Sequence, residues 1–266
     1  MGLTAADHET AIFYDRWTEL FQRGFGPVFQ AGILKTGDPP REDPERSVIA
    51  LAERAGIADG DRILDAGCGI GGPAAIIAHR FPNARIDGVT NSVIQAGVAR
   101  HELATAGLSD RVVIHVADYH RLPFPSEVFD VVVFFESTGY ATDIDQTYRE
   151  AGRVLKPGGR LYVKDVFCRS GALGVDESAQ LELFDKIWGC VRTKTVDESV
   201  ASMEAAGIVV SWSRVMDDIG TAFFAGSMFK LQAPGRLVPT ALGELFAQKD
   251  LDAPIEFAEI SARKPR

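Results

Sequence analysis

The chain has 266 residues, 46% of them hydrophobic, with 3 cysteines and a formal charge of −9 at pH 7. That length and apolar content suffice for one large α/β-sized core with additions at its ends. The acidic balance, with no basic cluster to offset it, argues against a nucleic-acid partner, and a mean hydropathy of +0.01 argues against a membrane protein.

Residues Met1 to Glu9 lack the basic start and apolar stretch of a secretory leader, so a cytoplasmic location is expected. Residues 8–32 carry Ile12, Phe13, Trp17, Leu20 and Phe21 at near-helical spacing, which predicts one or two helices serving as a lid. A polar, Pro-rich segment from Gly37 to Pro44 joins them to the core. From Ser47 onward helices alternate with strands predicted at 61–65, 85–89, 112–116, 129–135 and 159–167. Such alternation implies a parallel sheet with helices on both faces. Residues 175–206 read as helical, Ile208–Val215 and Glu256–Ala262 as two more strands, and 220–250 as mixed. The longest purely apolar run, Val131–Phe135, falls far short of the ~20 residues of a spanning helix. Cys68, Cys168 and Cys190 are odd in number and share no C-x-x-C spacing. Neither a disulfide framework nor a protein metal site is expected from them.

The most informative stretch runs from Asp61 to Gly72, Asp-Arg-Ile-Leu-Asp-Ala-Gly-Cys-Gly-Ile-Gly-Gly. A strand ends in Asp65, and Gly67, Gly69, Gly71 and Gly72 open a helix predicted from Pro73 to His79. Glycines let the backbone turn sharply and bring its N–H groups close to a ligand, where the helix N-terminus adds partial positive charge. A dinucleotide-binding turn would read G-x-G-x-x-G, which fits only loosely. Asp65 at the strand end repels a pyrophosphate but suits an ammonium, or the amino-acid tail of a sulfonium. Ligands of such sheets lie beyond the carboxyl ends of the strands. Asp65, Thr90, Asp118 and Glu136 should therefore converge on one cleft.

Leu64-Asp-Ala-Gly-Cys-Gly-Ile-Gly-Gly72 resembles motif I of the class I S-adenosylmethionine (SAM) methyltransferases. Val89-Thr-Asn-Ser92 with Gln95, Val116-Ala-Asp118, Phe129–Glu136 and Arg153–Leu161 follow in that family's order, and the match covers residues 46–167. The resemblance implies a Rossmann-like α/β fold: a seven-stranded, mostly parallel sheet with helices on both faces and an N-terminal helical lid. It divides the chain into a lid (1–45), a SAM-binding core (46–167) and a part (168–266) holding substrate-side helices and the last two strands. It implies Asp65, Gly67 and Gly69 beside the methionine moiety, Thr90, Asn91 and Gln95 at the ribose, and Ala117, Asp118 and Tyr119 around the adenine. The strand at 85–89 lacks the acidic residue that many members place at its end. Thr90 or Asn91 reads equally well as an N-cap for a helix over Val93–Ala106.

Two shorter segments narrow the chemistry. Phe13–Phe29 resembles the aromatic N-terminal segment of sterol C-methyltransferases. Phe135-Glu-Ser-Thr-Gly-Tyr140 resembles the Asn-Glu-Ser-Thr-x-Tyr segment of geranyl diphosphate C-methyltransferases. The implied function is SAM-dependent methylation of an alkene carbon in a prenyl diphosphate, of isopentenyl to geranyl size, or in a related terpenoid. The alternative is O- or N-methylation of a small molecule in natural-product biosynthesis. A C=C bond can attack the sulfonium methyl without a base, leaving a carbocation that must be stabilised and then deprotonated. Glu136 is the expected proton acceptor, with apolar walls favouring its neutral form and with Tyr140 and Phe224 beside the cation. Aromatic faces stabilise a desolvated cation by ~2 kcal/mol each. Tyr14, Trp17, Phe21, Trp188 and Phe223 are the further acceptor-side candidates. Arg192 and Lys194, and likewise Arg23 and Lys164, are candidates to meet a diphosphate, with any Mg²⁺ held through the substrate rather than by a protein motif. For the alternative the candidate base is Glu136 or, of the five histidines, His120. Association into a homo-oligomer stays open.

Overall fold

The computed structural model describes residues 5–29, 35–36, 41–216 and 253–266. Phe223 and Phe224, both expected near the acceptor, lie outside the described residues. A single long helix, α1 (Ala5–Phe25), comes first. A two-residue antiparallel pair is next, β1 (Lys35–Thr36) with β2 (Arg41–Glu42). Helix α2 (Pro44–Arg54) begins where Asp43 accepts a hydrogen bond from Arg46 N at 3.1 Å and Pro44 presets the first turn.

The α/β unit then runs β3 (Arg62–Ala66), α3 (Gly72–Arg80), β4 (Arg85–Thr90), α4 (Val93–Thr105), β5 (Val112–Val116), β6 (Phe129–Phe135), α5 (Ile144–Val154) and β7 (Leu155–Cys168). It ends with α6 (Val175–Trp188), α7 (Val196–Ala205), β8 (Val209–Val215) and β9 (Ile255–Arg263). The seven strands lie in the order β5-β4-β3-β6-β7-β9-β8. The first five run parallel, and β9 is antiparallel to both its neighbours.

Alternation along the strands explains the two layers. Ile63, Val131 and Val133 face one way and pack with Leu51, Ile77 and Ala99 of α2, α3 and α4. Their neighbours Leu64, Val132 and Phe134 face the other way and pack with Tyr148 of α5 and Met203 of α7. Strands buried on both faces read as continuous apolar runs, as β6 does. The sheet, the helices on both faces and the N-terminal helix thus agree with the expected architecture.

Two expectations differ by more than a residue or so, each for a local reason. The last parallel strand starts at Leu155 rather than 159, because Leu155 already pairs with Phe129 before a register shift. The helical stretch predicted at 175–206 is two helices. Gly189 takes φ +68°, which ends α6, and Thr195 with Glu198 forms a capping box that starts α7. Among the described residues of 8–32 there is one helix, ending at Phe25, where one or two were expected.

A charged anchor sits inside the sheet. Glu259 on β9 is fully buried and accepts from Arg54 Nη1 at 2.7 Å, Arg214 Nε at 2.6 Å and Tyr162 Oη at 2.5 Å. A carboxylate taken out of water needs such partners to be tolerated.

Candidate functional site

The carboxyl ends of β3 to β7 open onto one cleft of about 1250 Å³ including its mouth, closed over by α1 and α6. Under its floor the β3–α3 turn is bent by Gly67, Gly69 and Gly71, with φ of +96°, +54° and +78°. A Cβ on Gly67 would lie 2.3 Å from Ser137 Cβ, so only glycine fits there. Asp65, two residues earlier, is 1% exposed and lies behind the turn, of which Gly67 and Gly69 line the cleft. Among the described residues neither of its carboxyl oxygens has a hydrogen-bond partner, and burial pushes its pKa up to about 7. An orphaned buried carboxyl beside a glycine turn is a fit for a cationic ligand group.

The next strand ends supply the polar wall. Thr90 Oγ1 donates to Gln95 Oε1 at 2.8 Å, and the Gln95 amide nitrogen is the side-chain atom nearest a Cβ at Gly69, at 4.0 Å. The N-cap of α4 is Ser92, which accepts from Gln95 N at 3.0 Å, and not Thr90 or Asn91. Those two line the cleft instead, together with Gln95, Ala117, Asp118 and Tyr119. Burial would raise the Asp118 pKa, but hydrogen bonds from His120 outweigh it and hold the carboxyl below its ordinary range. His120 Nδ1 lies 2.6 Å from Asp118 Oδ1, while Nε2 accepts from Asp143 N at 3.2 Å. With Nε2 accepting, the ring proton belongs on Nδ1. Both ring nitrogens are thus engaged, so the expected candidate base is occupied with structural bonds.

The far end of the cleft is aromatic and acidic. Tyr14 and Phe21 from α1 line it with Tyr140, Phe184 and Trp188. Tyr14 Oη donates to Tyr140 Oη, their rings meeting edge to face with centroids 5.3 Å apart. Helix α1 is tied down again by Asp15, which accepts from Ser92 Oγ at 2.5 Å and Ile94 N at 3.2 Å. Glu136 projects from the end of β6 with a left-handed backbone, φ +55°. Its surroundings are not the apolar walls expected: its carboxylate pairs with Lys164 Nζ, which is itself fully buried.

Other expected residues fall elsewhere. Trp17 does not line the cleft; the Arg16 guanidinium carbon sits 5.2 Å above its ring. Arg192 is exposed and pairs with Glu198 at 2.9 Å. Lys194 Nζ donates to the carbonyls of Ala141 and Arg192 at 3.0 and 3.1 Å, so neither cation faces the cleft. Sequence reasoning missed Asp165, Cys190 and Phe184, all of which line it. Asp165 comes after Lys164 inside a long strand, where only the outward alternation of a strand end marks it out. Among the described residues, no three His, Cys, Asp or Glu side chains are grouped to hold a metal ion. No described helix is long and apolar enough to cross a membrane.

Residues 64–163 match the model of a methyltransferase domain. Methyltransferase GfsG of Streptomyces halstedii is 35% identical over 207 residues, covering 77% of this chain and 74% of that protein. Sterol 24-C-methyltransferase of Eremothecium gossypii is 37% identical over 153 residues, 58% of this chain but only 41% of that protein. The solved [4+2]-cyclase SpnF superposes with a TM-score of 0.85 at 25% identity, covering 100% of this chain and 98% of its own. Geranyl diphosphate C-methyltransferase from Streptomyces coelicolor, in complex with Mg²⁺, geranyl diphosphate and S-adenosyl-L-homocysteine (SAH), gives 0.73 at 21% identity, covering 99% and 100%. That last likeness is one of fold. With sequence kinship spanning most of a methyltransferase, and the fold and glycine turn in place, this chain belongs to the class I SAM-dependent methyltransferases.

Proposed function

We propose that the cleft binds SAM along the Gly67–Gly71 turn and that its methyl group passes to an alkene carbon of an isoprenoid acceptor. The observation that carries this reading is the aromatic chamber of Tyr14, Phe21, Tyr140, Phe184 and Trp188 with the Glu136 carboxylate beside it. Asp65 fits the ammonium of SAM, Thr90, Asn91 and Gln95 its ribose, and Asp118 Oδ2 its adenine amino group, Oδ1 being taken by His120. Residues 1–45 act as the lid, 46–167 as the SAM-binding core and 168–266 as the substrate side.

The alkene π pair forms the new C–C bond while the S–CH₃ bond breaks with its electrons retained by sulfur. Aromatic faces hold the resulting carbocation. Glu136 then accepts the adjacent proton, and the C–H electrons form the new double bond. No base is needed to create the nucleophile, which suits a cleft whose lining histidine, His120, is committed to Asp118 and Asp143. Kinship with a sterol 24-C-methyltransferase supports carbon as the acceptor atom.

Prenyl diphosphates of isopentenyl to geranyl size, with Mg²⁺ carried by the substrate, are one acceptor class. Among the described lining residues there is no Lys or Arg to meet a diphosphate, so an uncharged terpenoid suits that wall better. The second reading, O- or N-methylation, uses Glu136 as base, since it lines the cleft.

Purified protein with methyl-labelled SAM and a panel of prenyl diphosphates, free terpenoid alcohols, sterols, phenols and amines, with and without EDTA, tests this. Label on carbon of an isoprenoid is the expected result. Label on a phenol or amine alone overturns it.

A further inference from the structure

Two carboxylates line the acceptor end, and they are not electrically equivalent. Glu136 is compensated by the buried ammonium of Lys164. Asp165 is 4% exposed and held by neutral donors only: Oδ2 accepts from Thr138 N and Thr138 Oγ1, both at 2.7 Å, and Oδ1 from Val166 N at 2.8 Å. Among the described residues no Lys or Arg forms an ion pair with it. Burial pushes the Asp165 carboxyl up, against the hydrogen bonds from Thr138 and Val166 and the nearby charge of Lys164, so these donors are what hold it as an anion. Burial also pushes the Tyr14 and Tyr140 phenols and the Cys190 thiol up, and the charge of Asp165 adds to each, with that of Glu136 at Tyr14 and of Asp185 at Cys190. These three groups line the same end of the cleft, so the charge of Asp165 is felt where an acceptor would sit.

Resting on the reading above, we infer that Asp165 is the electrostatic residue of this reaction. It stabilises the positive charge as this moves from sulfur onto the acceptor carbon, and it selects against anionic acceptors. The balance of charge explains why. As the C–C bond forms and the S–C bond breaks, one unit of positive charge leaves the sulfonium for carbon; it leaves again as the proton taken by Glu136. A fixed anion at the acceptor end gains most when the charge arrives there, so it favours the transition state over the ground state. A buried anion held only by neutral donors acts through little screening. The same field repels a diphosphate.

The experiment reads dissociation constants by calorimetry for wild type, Asp165→Asn and Glu136→Gln. SAM and SAH are measured first, since they differ in the sulfonium charge and need no acceptor. Asp165→Asn is expected to weaken SAM at least threefold more than SAH, whereas Glu136→Gln shifts both equally. On SAH-loaded protein, N,N-dimethylgeranylamine is expected to bind at least tenfold more tightly than geraniol, with geranyl diphosphate weakest. Asp165→Asn should bring amine and alcohol within twofold of one another.

Equal losses of SAM and SAH in Asp165→Asn, or diphosphate binding ahead of the alcohol, overturn the inference. If Asp165→Asn does not fold, Glu136→Gln decides: retained preference for the amine supports Asp165, and lost preference assigns the charge to Glu136. If the SAM and SAH arm behaves as expected but no geranyl probe binds, the isoprenoid reading fails while the role of Asp165 stands.

Discussion

Asp65→Asn is the sharpest perturbation the structure offers. Among the described residues the carboxyl has no hydrogen-bond partner, and burial pushes it from an ordinary 3.8 to about 7. Between those values the folded chain holds a proton that the unfolded chain has released, so stability falls as pH rises through the window and is level above it. A gap of about three pH units at 1.36 kcal/mol each amounts to about 4 kcal/mol, an upper figure for a site that relaxes. Asparagine keeps the shape and removes the titration. In the absence of ligand, Asp65→Asn should therefore be more stable than wild type at pH 7.5, with the difference shrinking toward pH 4. Binding SAM should reverse the sign of the substitution, because its ammonium favours the ionised carboxyl. Wild type should then release a proton on binding below pH 7, and its affinity should rise with pH relative to the variant. Denaturant melts and calorimetry from pH 5 to 7.5 measure both effects, and the ratio of the two dissociation constants cancels titration of the ligand's own amine. A ratio that is flat across that range would falsify the placement of the ammonium at Asp65. An unliganded variant less stable than wild type at pH 7.5 would refute the burial argument.

Three further outcomes are expected. Glu136→Gln should abolish turnover while leaving SAH affinity within about threefold, since the Gly67–Gly71 turn and Asp118 are untouched; an active variant returns Glu136 to a structural role. Gly67→Ala must place a methyl group 2.3 Å from Ser137 Cβ at φ +96°. Backbone strain of about 1–3 kcal/mol plus overpacking should lower Tm and cost SAM binding, read by thermal melts and calorimetry. Asp15→Ala removes the carboxylate that accepts from Ser92 Oγ and Ile94 N. A loss of about 0.5–2 kcal/mol is typical of a cap, and faster proteolysis within α1 should accompany it; unchanged proteolysis argues against this tie between α1 and α4.

The core of the fold was legible because parallel strands buried on both faces write themselves as apolar runs between helical periods. Val131–Phe135 and Leu161–Val163 are of this kind, and the glycine turn was marked by its run of glycines together with Asp65 just before it. The aromatic end of the cleft was less legible, because contact there depends on which way a helix faces. Trp17 and Tyr14 share one turn of α1, yet only Tyr14 reaches the cleft. Lys164 and Asp165 are adjacent in sequence, and nothing in the linear order says that the first is neutralised by Glu136 and the second is not. Arg192 and Lys194 looked suited to a diphosphate because they are cationic; the first is claimed by Glu198 and the second by two carbonyls.

The strand Ile255–Arg263 is inserted between two others although it is the last of the seven to be translated. Until a ribosome has passed residue 263, one edge of β7 stays open over nine paired positions, and Arg54, Arg214 and Tyr162 wait without Glu259. An open edge of that length invites adhesion to other nascent chains. Loss of these few residues through a late stop codon would therefore leave a product prone to clumping rather than a slightly weakened enzyme.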